Sequence, residues 1–241
     1  MKIYTGTCAG EKFKKLKGYG LGVMISPSPS FEPREPFSEV SCAFDNGAFQ
    51  AFERGYPFRR KAFWETLDKC YLLGIDLDFI VCPDIVGGGR KSLEFSIGWS
   101  EKLIGTPNLA LVVQDDNKTI EQGVCKKQDM TPEMLGRYDL SMFSHIFVGG
   151  SVLWKWNTAE EWVKFAHDRK KKVHVGRCGQ LRYMKLCDHI GVDSIDSTSI
   201  ARNDSWHLID EYRNKQYLFV GAKVGVSSDL LPIKIREKRG E

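Results

Sequence analysis

Short apolar runs recur along the chain, and each breaks on a polar or glycine residue at its far end. Residues 1–5, 21–25, 40–45, 79–84, 109–114, 146–150, 173–176 and 194–196 read as eight short strands. The runs at 79–84 and 109–114 are almost continuously apolar, as in parallel strands buried on both faces. Helical stretches separate most of them, at 60–74, 92–104, 131–138, 179–190 and 203–213. Thr131 stands as an N-cap before Pro132 and Glu133. Asn157 reads as the cap of a helix running to residue 169, with Trp162, Phe165 and Ala166 on one face. Residues 45–50 read as a loop leaving the third strand. Pro27, Pro29, Pro33 and Pro36 make 26–38 a stiff or mobile loop, either a lid or a plain surface connection.

Strict alternation of strand and helix predicts parallel βαβ units. Eight such units close into a single (β/α)8 TIM barrel, with an open doubly wound sheet as the alternative. The length of 241 residues suits one barrel domain, and no linker or internal repeat divides it. Gly18, Gly20 and Gly22 suggest a nucleotide loop, but Val23-Met24-Ile25 and then prolines follow them. A phosphate cradle needs a helix at that point, so the pattern excludes it.

The net charge of +4 permits contact with a polyanion without demanding it. No apolar run approaches the length of about 18 residues that spans a bilayer, and the N-terminus lacks an apolar signal core. The expected location is therefore the cytoplasm. The seven cysteines are odd in number and widely spaced, without a CxxC pair. Neither a disulfide framework nor a metal site is expected, and no cofactor is implied.

In a TIM barrel the reactive groups gather at the C-terminal ends of the strands. Asp45, Asp84, Gln114, Gly149-Gly150, Gly176 and Asp196 all occupy such ends. An amide and open backbone edges read the hydrogen-bonding pattern of a flat heterocycle. A carboxylate accepts from adjacent N–H groups such as those of a purine. Two further carboxylates suit transfer at a glycosidic carbon, one attacking and one moving protons.

The motifs are more specific than their chemistry alone. Asp45-Asn46-Gly47-Ala48-Phe49-Gln50 resembles the Asp-Ser-Gly-Gly-Phe-Gln signature of the tRNA-guanine transglycosylase family. Gln114 is similar to the glutamine of that family's Val-Gln-Gly, and Gly149-Gly150 to its Gly-Gly. Val175-Gly176 is similar to its Met-Gly or Val-Gly pair. Gly191-Val192-Asp193-Ser194-Ile195-Asp196 resembles Gly-Ile-Asp-Met-Phe-Asp, which ends in the nucleophile. The matched points span about residues 40 to 200, in the family's order.

The resemblance implies that Asp196 attacks C1′ and that Asp45 is the general acid/base. It implies that Asp84, Gln114 and Gly149-Gly150 read the base, with Asn46, Gln50 and Gly176 beside them and Phe49 stacking on it. The family's zinc subdomain follows the nucleophile, whereas here no cysteine follows Cys187. Asn46 also replaces Ser, and Ser197-Thr198 replaces Cys-Val. This pattern resembles the compact phage and mobile-element relatives that put 7-deazaguanines into DNA. The expected partners are then DNA, with tRNA as the alternative, and a 7-deazaguanine base. A homodimer or an accessory protein stays open, as does a hydrolase that releases the base from a nucleoside.

Other residues carry two readings each. Arg177, Arg182 and Arg202 lie near the expected mouth and are either phosphate contacts or solvated charges. The basic tail over 225–241 reads as solvated surface. His174, inside an apolar strand, reads as a satisfied core histidine. Asp193 shares its side of the strand with Ile195 and reads as structural, and Asp115 and Asp116 as a solvated loop. Trp154 and Trp156 either stack on bases or pack helices.

Overall fold

A computed structural model describes residues 1–28, 31–33, 35–116 and 129–216. Pro29, Cys125 and the basic tail lie outside the described residues. The strands are β1 (Lys2–Gly6), β2 (Gly22–Ile25), β3 (Cys42–Phe44), β4 (Leu77–Val81), β5 (Leu109–Val113), β6 (Phe143–Val148), β7 (Lys172–Val175) and β8 (Ser194–Asp196). Each pairs in parallel with the next, and β8 pairs with β1 through Lys2↔Ser194, Ile3↔Ile195 and Tyr4↔Asp196. The sheet is thus a closed eight-stranded barrel, and the open-sheet alternative falls.

Successive side chains on a strand point to opposite faces, so the barrel sorts one apolar sequence into two cores. Tyr4, Met24, Ala43, Phe79, Val81, Ala110 and Val112 fill the inside, with Phe147 against them. Their neighbours Ile3, Val23, Ile25, Phe44, Ile80, Leu111 and Val113 face outward into the helix layer. The same parity carries inward-facing Ala43 on to Asp45, Val112 to Gln114, Phe147 to Gly149, His174 to Gly176 and Ser194 to Asp196. The candidate residues therefore continue the inner face beyond the packed core.

The outer layer holds α1 (Glu11–Gly18), α2 (Ala48–Glu53), α3 (Arg60–Leu72), α4 (Gly89–Ser100), α5 (Pro132–Leu135), α6 (Val152–His167), α7 (Leu181–His189), α8 (Ser199–Arg202) and α9 (His207–Gln216). Thr131 caps α5 as predicted, accepting from Met134 N. Four expectations need correction. The sequence pattern assigned no element to α1, whose apolar face is only Phe13 and Leu16. Residues 45–50 are not all loop, because α2 begins at Ala48, where Asn46 Oδ1 accepts the Ala48 N–H at 2.8 Å. Asn157 does not cap α6. The chain turns at once on Gly150 (φ 76°), so Ser151 caps the helix and Asn157 lies inside it. The final helix starts at His207 rather than 203, because α8 and a turn take up the residues before it.

Between β2 and β3 the described residues form only a 3-10 turn, Phe37–Glu39. Ser28 is tied to Thr66 Oγ1 of α3 by two 3.1 Å hydrogen bonds, and Phe31 and Phe37 are buried. The described part of this loop is thus anchored on the barrel wall. At the foot of the barrel, Asp78 accepts from Lys2 Nζ and, at 2.7 Å, from Tyr4 OH. Among the described residues no helix is long and apolar enough to cross a membrane.

Closure leaves little slack between β1 and β2. A Cβ at Gly22 would lie 2.5 Å from the Tyr4 ring and 2.9 Å from the Ser41 carbonyl oxygen. Gly22→Ala is expected to cost about 1–3 kcal/mol of stability. Urea unfolding tests this through a lower midpoint at an unchanged slope; an unmoved midpoint would show that the contact relaxes freely.

Candidate active site at the barrel mouth

A cavity of about 1160 Å³ opens at the C-terminal ends of the strands. Its wall contains Asp45, Asn46, Phe49, Gln50, Asp84, Gln114, Gly149, Gly150, Gly176, Arg177, Asp196 and Arg202. Twelve of the thirteen residues singled out in the sequence therefore meet there. Arg182 does not: its guanidinium bonds Gln180 Oε1 and Tyr183 OH on the exposed side of α7. The cavity floor is apolar, formed by Met24, Val81, Val112 and Phe147.

Asp84 reaches this space although β4 ends at Val81. The bend through Cys82-Pro83 brings it in, and the wall fixes it from two sides. Asn46 Nδ2 donates to Asp84 Oδ1 at 2.7 Å, and Gln114 Nε2 donates to Oδ2 at 2.8 Å. Burial raises the Asp84 carboxyl above its ordinary value, and these two donors work against that rise. Gln114 is itself engaged at both ends, because Oε1 accepts the Gly87 N–H at 2.8 Å and Nε2 lies 2.7 Å from Ser92 Oγ. Asn46 also donates to the Cys82 carbonyl at 2.9 Å. Both amides thus hold Asp84 in position, and the carboxylate is the group that faces a ligand.

Asp45 and Asp196 occupy contrasting environments. Burial, the negative charge of Asp196 and then that of Asp84 push the Asp45 carboxyl up to about 6, with Ser26 Oγ at 3.2 Å opposing the rise. Asp196 is only 8% exposed, and its Oδ1 accepts from His174 Nε2 at 3.0 Å and from the Arg177 backbone N–H at 3.2 Å. The Arg177 guanidinium lies 4.0 Å over the Phe49 ring and donates to the Gly150 carbonyl at 2.9 Å. It forms a cationic, aromatic flank to the cavity. Among the described residues no three His, Cys, Asp or Glu side chains group as a metal site.

Three contributors escaped the sequence reading. Asp115 is not solvated; it is 6% exposed and accepts from both the backbone N–H and the hydroxyl of Ser151. It therefore clamps the Gly149-Gly150 turn, a contact between residues 36 apart with no local signal. His174 is a satisfied core histidine, as expected, but the group satisfying it is Asp196. Strand parity with Gly176 was the available signal. Lys155 is buried to 1% and donates to the Gly176 carbonyl. No local signal marked it, since a lysine on a helix reads as solvated. The tryptophans themselves pack the wall. Trp156 stacks on Tyr183 at 4.1 Å, and Trp154 lies against Trp162. Asp193 is structural, bonding the Val173 N–H and His167 on the outer face.

No protein-family model matches the chain, and no curated protein matches it. The geometry of the mouth and the motif resemblance carry the functional reading.

The raised Asp45 carboxyl has a cost that can be measured. Between its ordinary value of 3.8 and about 6 the folded chain holds the Asp45 proton more tightly than the unfolded chain. Stability therefore falls as pH rises through that window. A difference of that size is worth about 3 kcal/mol above the window. Asp45→Asn is expected to gain about 1–3 kcal/mol at pH 7.5 and to lose that advantage by pH 4. Chemical denaturation at the two pH values checks this; a variant no more stable than wild type at pH 7.5 would show that burial and the neighbouring carboxylates do not raise Asp45.

Proposed function

We propose that the chain is a base-exchange glycosyltransferase that replaces guanine in DNA with a 7-deazaguanine base. The observation that carries this reading is the unequal pair of carboxylates at one cavity. Asp45 is poised near neutrality, whereas Asp196 is held by two N–H donors. Divergent environments of this kind separate a proton carrier from a nucleophile. The resemblance of the flanking motifs to the tRNA-guanine transglycosylase family supports the same assignment.

In the first half-reaction a lone pair of Asp196 bonds to C1′ as the bond from C1′ to the base nitrogen breaks. The electron pair leaves with the base, which takes one proton from Asp45 and departs neutral. In the second, Asp45 takes a proton from the incoming base, whose nitrogen attacks C1′, and the electron pair returns to Asp196. A Glu or Asp acid with a value near 6 serves both directions at neutral pH. Asp84 accepts from the N–H groups on the base edge, and the apolar floor of Val112 and Phe147 underlies its ring.

The mouth also suits a polymer. Arg177 and Arg202 line it, and Phe52 and Val152 of its rim are exposed by 53% and 58%. Cations beside exposed apolar faces fit a strand whose bases are unstacked, and a base in a duplex must be flipped out to reach Asp84. DNA is favoured over tRNA because Asn46 in place of Ser and Ser197-Thr198 in place of Cys-Val resemble the compact relatives that act on DNA.

Radiolabelled guanine exchange into duplex DNA, single-stranded DNA and bulk tRNA tests the proposal. Label is expected in DNA, with incorporation by Asp196→Asn at least about a thousandfold lower. Full activity in that variant would dismiss Asp196 as nucleophile. Label entering tRNA alone would replace the substrate, and release of base from free nucleoside without incorporation would make the protein a hydrolase.

A further inference from the structure

The base-exchange reading leaves His174 and Lys155 without a role, yet both lead to one oxygen of Asp196, His174 directly and Lys155 through the Gly176–Arg177 peptide. His174 is wholly buried in β7, with Nε2 3.0 Å from Asp196 Oδ1 and Nδ1 2.9 Å from Ser194 Oγ. An ionised carboxylate only accepts, so Nε2 carries the hydrogen, and the hydroxyl serves Nδ1. Phe147, Phe79 and Tyr4 surround the imidazole at ring distances of 4.8, 5.0 and 5.9 Å. The hydrogen bonds at both nitrogens, to Asp196 and Ser194, fix which way the ring faces.

The second donor is prepared differently. Arg177 adopts φ 57°, unusual for a residue with a side chain, and this turn aims its N–H at the same Oδ1 at 3.2 Å. That N–H shares a planar peptide with the Gly176 carbonyl, and the carbonyl accepts from Lys155 Nζ. A cation at the oxygen end of a peptide draws electrons from its nitrogen end and strengthens the N–H as a donor. Burial and the Arg177 charge lower the Lys155 amine to about 8, while Asp196 pulls it back up. Gly176 keeps the approach open: a Cβ there would lie 2.7 Å from Phe147 and 3.4 Å from Asp196 Oδ1.

We infer that His174 and the Lys155-backed peptide anchor Asp196 by Oδ1, so that Oδ2 is the oxygen that bonds to C1′, and that this anchor chiefly speeds release of the glycosyl group. The inference rests on the base-exchange reading. In the glycosyl-enzyme, Oδ2 is the ester oxygen and Oδ1 the carbonyl oxygen. When the C1′–Oδ2 bond breaks, its electron pair returns to the carboxylate, and charge develops on Oδ1 where two N–H groups already point. Before the first half-reaction the same donors already stabilise the free carboxylate, so they give little help to attack. His174 and Lys155 are positioning residues, acting through Asp196.

The test separates the two half-reactions. Wild type, His174→Leu, His174→Gln and Lys155→Met are mixed with DNA lacking acceptor base, and the covalent protein–DNA adduct is followed on denaturing gels. Guanine is then added and decay of the adduct is timed. His174→Leu is expected to form the adduct at close to the wild-type rate and to release it about ten- to a hundredfold more slowly. Gln, which keeps an N–H near the Nε2 position, should restore release to within about threefold, and Lys155→Met should slow release less than Leu does. Equal slowing of both half-reactions in Leu and Gln alike would reduce His174 to packing and overturn the inference.

A second measurement needs no reaction. In protein labelled with 15N-histidine, the His174 signals, assigned by their loss in His174→Gln, should report a hydrogen on Nε2 and should move in Asp196→Asn. A hydrogen on Nδ1 alone overturns the anchor whatever the protein catalyses. An Nε2 hydrogen together with no adduct in wild type supports the anchor and defeats the base-exchange reading instead.

Discussion

Closure of the barrel between β1 and β8 is the constraint on which the rest depends. It sets Tyr4 opposite Asp196 and lets the Tyr4 carbonyl accept the Ser197 N–H at 2.9 Å. With the ring closed, every strand has an inside, and residues two apart share it. The inner face is packed with Tyr4, Phe79, Val112 and Phe147 up to the last layer, and beyond that layer there is nothing left to pack. Polar groups placed there face a cavity rather than a core. The mouth is thus a product of where the apolar alternation stops.

Much of this was legible in the sequence because it depends on period. Eight apolar runs ending in polar residues give the strands, and parity along each run gives the inward direction of Asp45, Gln114 and Asp196. What stayed hidden depends on contacts between distant residues. Asp115 looked like one of two loop carboxylates, and only the fold brings Ser151 to it. Asn157 and Ser151 are both good caps, and the choice between them follows from where β6 ends, at Val148. Asp84 breaks parity, because β4 ends three residues before it and Cys82-Pro83 redirects the chain. Arg182 was grouped with Arg177 by sequence proximity, and the start of α7 at Leu181 turns the two apart.

The three carboxylates of the mouth illustrate how surroundings divide one chemistry into several. Asp84 is bound by two side-chain amides and cannot rotate, Asp196 is bound through a single oxygen, and Asp45 has only Ser26 and a nearby backbone N–H. Each accepts from two donors on other residues, and the donors differ: two side-chain amides on separate oxygens of Asp84, two N–H groups on one oxygen of Asp196, and a hydroxyl and a backbone N–H for Asp45. On the proposed reading, the carboxylate that accepts from the base is the most tightly fixed, and the one that carries the proton is the least.

Tyr4 joins the two ends of the molecule. Its hydroxyl meets Asp78 at the foot, its ring lies against Phe79 and His174 in the middle, and its carbonyl holds Ser197 beside Asp196. A single residue, through its hydroxyl, its ring and its backbone carbonyl, therefore links the Lys2–Asp78 pair to the mouth. Foot and mouth thus share one residue, and a substitution at Asp78, remote from the cavity, removes a contact of the residue that pairs with Asp196 across the barrel seam.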